Sequence, residues 1–399
     1  MLKKIAVSEL APGMYVNGVT KQQGTFKIKN QGLVRTKAAI EKLIKAGILE
    51  VEIDTEKALA KPEKKIKDTS KKNAAPSLYD PTAITAEFND EINKAEKLYT
   101  EAKSLQHLAF ESIKANRKIE IGPFEDVAQG FIDSIFRNQD ALACMTRIRE
   151  KDAYLLEHSI NVSVLMTIFA KHLHLEPEVI HQLATGALLH DIGKIKIQDE
   201  VLNKPGKFTE DEFNLMKNHA LYSKEILEEA GLSGLAVDIA AYHHERLDGK
   251  GYPFALSADQ IPQHVRMIAI VDVYDALTAK RVYKDGMNPI QAFKIIKDDS
   301  PASFDTELVN QFIKCIGIYP IGTLVKLKSQ KLGIVTRSNF QNPLQPWVKV
   351  FYNAKHQHHT EVKDLNLADK YVEDELESAI KPEDFGIDLM KFFRNSILH

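Results

Sequence analysis

His190-Asp191-Ile192-Gly193-Lys194 closes an apolar series, Ile180, Leu183, Ala184, Ala187 and Leu188, that recurs at the helical period. Gly193 supplies a helix stop just beyond the pair. A neighbouring His and Asp offer one imidazole nitrogen and one carboxylate to a single metal site. The second carboxylate oxygen can bridge to another ion. Lys194, three residues after Asp191, can direct a positive charge at an anion held there. A His-Asp dipeptide arises often by chance, and alone it describes a polar pair ending a helix. Its meaning depends on the rest of the chain.

Outward from this stretch, residues 141–318 read as almost wholly helical. His158 precedes Ile160, Val164, Thr167 and Ile168 on one helix. Thr209 and Glu212 form a capping box opening a helix that carries Phe213, Met216, His219 and Ile226 and stops at Gly231. Pro262 suits the first turn of another, running to Asp272 and Asp275. The pair His243-His244 leads into Glu245-Arg246-Leu247-Asp248-Gly249-Lys250-Gly251-Tyr252-Pro253, a glycine-rich lip that can bring an aromatic ring and backbone donors to a flat or anionic ligand.

Taken singly, each His is an ordinary core or surface residue. Together His158, His190, Asp191, His219, His243, His244 and Asp272 form a ligand set spread over five segments of one helical domain, and a bundle can gather such helix ends around metal. Imidazoles and carboxylates without thiolate suit Fe, Mn, Ni, Co or Zn. The set is too large for one ion. Two ions use all of it, with Asp191 as the bridge, His158, His190 and Asp272 on one side and His219, His243 and His244 on the other. Such a pair forms a clamp for in-line attack on phosphorus by a bridging hydroxide.

The flanking segments carry no comparable chemistry. Residues 1–55 read as a small α+β module: Met14-Tyr15-Val16 and 48–53 have strand character, and Ala38 to Ile44 has helical spacing. Residues 56–82 read as a Lys-, Pro- and Ser-rich linker. In 83–140, Phe88, Ile92, Ala95 and Leu98, then Ile132, Ile135 and Phe136, mark a helical connector. Beyond Pro320 the period shortens. Residues 319–399 are expected to form a small β extension, over 321 to about 365, followed by a helix and helical tail over 370–399, and the polar His356, His358 and His359 are not taken as a site.

Over 399 residues, 44% hydrophobic and 27% charged, the chain can build two or three cored domains. A net charge of −2 gives no general attraction to nucleic acid polymers or acidic membranes. Cys144 and Cys315 are the only cysteines, which suits a reduced compartment. No apolar stretch is long enough for a signal peptide or a bilayer span. The expected location is the cytoplasm.

His190 to Lys194, joined to His243 through Pro253, closely resembles the HD-GYP family of HD metal-dependent phosphohydrolases, and the likeness covers residues from about 145 to 318. Residues from 1 to about 130 resemble the module of unknown function that often precedes these domains. The resemblance implies a mainly α fold, a helical HD-type bundle with a small N-terminal α+β module and a small C-terminal β appendage. It implies a bacterial signalling enzyme that hydrolyses cyclic di-GMP to pGpG, and in some members on to GMP. The seven ligands carry over as metal ligands, with Fe or Mn the first choice. Asp191 and Lys194 carry over as the catalytic pair. Lys194, Tyr252, Arg281 and Lys284 carry over as substrate contacts. The resemblance also implies diguanylate cyclases or other signalling proteins meeting the GYP loop, and allows a homodimer. One departure stands out. Members with three metals place a Glu one turn before the first His, and here that position is Tyr154. Two metals are therefore expected, and the second cleavage is the step placed in question. Two alternatives stay open: a cyclic di-GMP receptor with little turnover, and a phosphohydrolase for another nucleotide.

Overall fold

The computed structural model describes residues 2–7, 10, 14–22, 32–34, 40, 43–44, 47–54, 84–147, 154–279, 286–339 and 341–387. The chain divides into two compact units, Met1–Ala75 and Pro76–His399.

In the first unit, strands β1 (Leu2–Ala6), β2 (Tyr15–Gln22), β3 (Gly32–Leu33) and β4 (Ile48–Asp54) form one sheet in the order β1-β4-β2-β3. Ile5 faces Val51, and Val16 faces Ile53, across antiparallel ladders. These side chains and Ile48 close a small core with Ile40. The expected strands are present, and Ile40, Leu43 and Ile44 are helical. The segment 56–82, read as a linker, lies outside the described residues.

The second unit is helical. Helices α1 (Phe88–Lys114) and α2 (Gly122–Met145) form a hairpin against α3 (Tyr154–His172) and α4 (Pro177–Leu189). A 3-10 turn, Ile192–Lys196, leads to the one-turn α5 (Asp199–Leu202), then α6 (Glu210–Lys217), α7 (His219–Glu229) and α8 (Leu235–Tyr242). After the GYP loop come α9 (Gln263–Thr278), α10 (Pro289–Asp298) and α11 (Thr306–Ile316). α3 is buried nearly all round: Ile160, Val164, Thr167 and Ile168 are each at most 2% exposed, as expected of a central helix. The capping box is formed, with Thr209 Oγ1 accepting from the Glu212 amide and Glu212 Oε2 accepting from the Thr209 amide. The helix it opens is shorter than its sequence period suggests. It ends at Asn218, and a second helix begins at His219. The apolar spacing therefore spans two helices, with Met216 buried and Phe213 44% exposed.

The tail differs from expectation. Strands β5 (Leu324–Leu327), β6 (Lys331–Arg337), β7 (Trp347–Asn353) and β8 (His358–Asn366) are joined by β9 (Leu376–Ala379) in a sheet ordered β8-β7-β6-β5-β9. Residues 376–385, expected to be helical, give β9 and a 3-10 turn. β9 is driven into the sheet by its pairing with the otherwise open edge of β5. Residues 388–399 lie outside the described residues. Val325, Leu332, Val335 and Val348 share one core with the helices, so the sheet belongs to the second unit. Cys144 and Cys315 are buried free thiols. Among the described residues no helix is long and apolar enough to cross a membrane.

Candidate metal centre

Two glycines bring the ligand-bearing elements together. A Cβ on Gly193 would overlap the carbonyl oxygen of His219 and the amide of Ser223, so the turn after Asp191 lies directly on α7. The Gly193 amide also donates to Ser223 Oγ at 2.9 Å. A Cβ on Gly186 would stand 2.7 Å from Cα of Ala236, so α4 and α8 meet backbone to backbone. These contacts carry His190 and Asp191 toward His219 and His243.

Three of the four buried imidazoles are oriented by a backbone carbonyl. Nδ1 of His190 lies 2.7 Å from the Ala187 carbonyl, Nδ1 of His219 2.7 Å from that of Met216, and Nδ1 of His243 3.0 Å from that of Ala240. A carbonyl only accepts, so each Nδ1 carries a proton and each Nε2 is the atom left to face the centre. Nδ1 of His158 donates to Asp275 Oδ2 at 2.7 Å. Carboxylate or carbonyl partners of this kind orient metal-binding imidazoles.

The Nε2 atoms of all four converge on Asp191. Its Oδ2 is 3.5 Å from His158 Nε2 and 3.4 Å from His190 Nε2, whereas its Oδ1 is 3.3 Å from His219 Nε2 and 3.7 Å from His243 Nε2. Asp272 reaches His158 Nε2 at 3.0 Å and His244 Nδ1 at 3.8 Å. Three overlapping groups could each hold an ion: His158 with His190 and Asp272, His219 with His243 and His244, and His190 with Asp191 and His243. The first two are the sets written down from the sequence. All seven expected residues meet at one place.

The donor chemistry fits cations. His190 Nε2 and Asp191 Oδ1 are buried without a hydrogen-bond partner. The Nε2 atoms of His219 and His243 face each other at 3.2 Å, close enough to share one cation. Leaving such groups buried and unsatisfied is costly, and a shared cation removes the cost. Burial opposes ionisation of Asp191, yet Lys194 and the imidazoles outweigh it and hold the carboxyl well below its usual range. For Asp272, burial is likewise outweighed, chiefly by His158. Burial lowers His190 and takes His243 and His244 well down. Anionic carboxylates beside neutral imidazoles are the state that metal binding needs. His158 differs. Burial works against its protonation, but hydrogen bonds to Asp272 and Asp275 win and push it up to about 9.

The rim carries the remaining candidates. Lys194 Nζ contacts Asp191 Oδ2 at 2.5 Å with its side chain 18% exposed, at the boundary between centre and solvent. The Tyr252 ring lies 4.5 Å from that of His244, tilted by 33°. Burial, then Asp272 and Asp191, push its phenol up, so it stays a protonated donor. Glu245 holds the GYP loop: its buried carboxylate accepts from the amides of Phe254 at 2.8 Å and Leu256 at 3.0 Å. Sequence reading gave Glu245 no role. The only signal for it was an acid next to the His pair, because both partners are loop amides. Gly251 is required there, since a Cβ would overlap Glu245 Cα and the Arg246 amide. Arg281 and Lys284 lie outside the described residues. Tyr154 is described only as the first residue of α3, not by its side chain. Glu157, next to His158, turns away from the centre to Lys103 at 3.1 Å.

A helical bundle gathering His and Asp residues from five segments around one carboxylate defines an HD domain. Accordingly, residues 141–308 match the family model described as HD domain, and residues 2–124 match the Domain of unknown function (DUF3391). The chain belongs to the HD-GYP family. It is 34% identical over 358 residues to a cyclic di-GMP phosphodiesterase of Pseudomonas aeruginosa, covering 89% of this chain and 86% of that one. It is 45% identical over 147 residues to a probable cyclic di-GMP phosphodiesterase of Vibrio cholerae, covering 35% of this chain and 33% of that one. A cyclic di-GMP phosphodiesterase of Thermotoga maritima is 31% identical over 214 residues, covering 52% of this chain and 58% of that one. The likeness thus spans most of the length of the first relative and a third to about three-fifths of the other two.

Proposed function

We propose that this protein hydrolyses the bacterial second messenger cyclic di-GMP to linear pGpG at a dinuclear metal centre. The observation that carries the reading is the division of Asp191, one oxygen toward His158 and His190 and the other toward His219 and His243. His158, His190 and Asp272 would hold one ion and His219, His243 and His244 the other, with Asp191 shared. Divalent cations bound there would supply Lewis acidity at the phosphate oxygens and lower the pKa of a bound water. Fe or Mn suits the donors best, and Ni, Co and Zn are compatible with them.

The protein groups do the rest. Asp275 and the carbonyls of Ala187, Met216 and Ala240 lock the imidazoles, so the site needs little reorganisation as charge develops. Lys194 sits where a bound phosphodiester would take its ammonium from Asp191, and it stabilises the charge gathering on the phosphoryl oxygens. Water adds to one phosphorus, the 3′ oxygen leaves, and the ring opens to pGpG. Tyr252 offers its hydroxyl and ring face to the dinucleotide, and Arg281 and Lys284 supply further phosphate contacts. Tyr154 in place of a Glu supports two ions over three and pGpG over GMP as the main product. The exposed GYP loop, with Phe254 51% exposed, is the surface offered to a diguanylate cyclase or other signalling protein. A homodimer and a cytoplasmic location complete the reading.

The test is incubation of metal-loaded protein with cyclic di-GMP and chromatography of the products. Conversion to pGpG supports the enzyme. Ligand retained unconverted at full metal occupancy would favour the receptor, and preferential turnover of another nucleotide would redirect the substrate assignment.

A further inference from the structure

Helix α1 lies outside the HD match, within residues 2–124, yet its polar side chains bond to the segments that carry two metal-centre residues. Its buried stripe runs Phe88, Ile92, Ala95, Tyr99, Ala102, Gln106 and Ala109. Alternating steps of three and four keep these on one face. Two positions in this apolar seam are polar, and a third polar residue, Lys103, flanks it. Tyr99 Oη donates to Asn161 Oδ1 at 2.7 Å. Lys103 Nζ donates to Glu157 Oε1 at 3.1 Å. Gln106 Nε2 donates to the carbonyl oxygen of Leu188. Glu157 and Asn161 bracket His158 on α3, and Leu188 stands two residues before His190. The buried groups involved are Tyr99, Gln106, Glu157 and Asn161. Burying an amide or a carboxylate in a core is costly unless its bonds are made, so each bond fixes a register.

We propose that α1 is the outer wall of one half of the metal centre. Tyr99, Lys103 and Gln106 are positioning residues that hold the backbone under His158 and His190. They thereby set the affinity of the His158, His190 and Asp272 half, and not that of the His219, His243 and His244 half. The HD segment is then incomplete without a helix that sequence matching assigns to the module before it. This inference rests on the dinuclear reading above.

The test uses the full chain and counts ions per chain during dialysis against graded chelator. Gln106→Leu and Lys103→Met should each leave one ion bound as in the wild type and weaken the other about tenfold, the lower end of what loss of an outer partner costs a metal site. Lys103→Arg should restore the second ion. Glu91→Gln is the control for a purely structural effect, because Glu91 bonds α1 to Ser134 and Arg137 on α2. It should lower thermal stability and keep both ions. In a His219→Ala background, which keeps only the His158 half, Gln106→Leu should weaken the remaining ion about tenfold. Variants that keep both ions at wild-type affinity, or lose both in step with stability, would overturn the inference alone. A wild-type chain holding fewer than two ions would remove the dinuclear reading and this inference with it.

Discussion

Gly193→Ala places one methyl group where the turn after Asp191 meets α7. The added carbon would overlap the His219 carbonyl oxygen and the Ser223 amide, and it would stand 2.8 Å from Tyr222 Cβ. Backbone atoms cannot rotate away as a side-chain tip can, so α7 must retreat by about 1 Å to restore ordinary contact in a close-packed interior. Overpacking of this kind costs about 1–3 kcal/mol. The functional loss should be larger than that suggests. His219 begins α7, and its Nε2 is 3.3 Å from Asp191 Oδ1, so the imidazole moves with the helix. Metal sites tolerate ligand displacements of only about 0.2 Å. A misplacement of about 1 Å is enough to cost roughly a hundredfold in rate. The expected variant is folded, less stable in denaturant, depleted of the ion on the His219 side, and about a hundredfold slower on cyclic di-GMP. Gly122→Ala, where a Cβ meets nothing within 4 Å, is the control and should match the wild type in metal content and turnover. A Gly193→Ala protein with full metal content and turnover within about twofold of wild type would refute the reasoning, because the packing argument leaves no room for the methyl group.

Lys194→Ala should lower turnover by at least about tenfold while elemental analysis finds the wild-type metal content, since the ammonium acts on the phosphate; unchanged turnover would remove Lys194 from the mechanism. Glu245→Ala leaves the Phe254 and Leu256 amides without their acceptor, so about 1–3 kcal/mol of stability and the placement of Tyr252 should go. KM for cyclic di-GMP should rise more than kcat falls, and an unaltered KM would count against the loop's role. Tyr154→Glu is expected to admit a third ion and advance the conversion of pGpG to GMP; anomalous scattering that still finds two ions would reject that account of the departure at Tyr154.

Much of the centre was legible because its chemistry is written in rare residue types. His158, His190, Asp191, His219, His243, His244 and Asp272 have few reasons to recur along apolar helices, and the two triads flanking Asp191 followed from ligand counting. Local signals also read well: the Thr209–Glu212 box forms, and β5 to β7 lie where the period shortens. What escaped depends on partners distant in sequence. Nothing within 370–399 shows that residues 376–379 pair with β5, because that strand is set by the open edge it meets. The break at Asn218 is hidden by apolar spacing that continues across it. Glu245 and Gln106 have no role in the sequence reading, because their partners lie nine to 82 residues away. The glycine at 193 was read as a helix stop, whereas its larger role is the close approach of α7.

The sharing of Asp191 between two ions is tested most directly by counting metal in protein prepared without oxygen, wild type beside Asp191→Ala. The account predicts two ions per wild-type chain, and none held firmly by the variant, because the carboxylate whose two oxygens face His158 and His190 on one side and His219 and His243 on the other has gone. A variant that keeps both ions would contradict it.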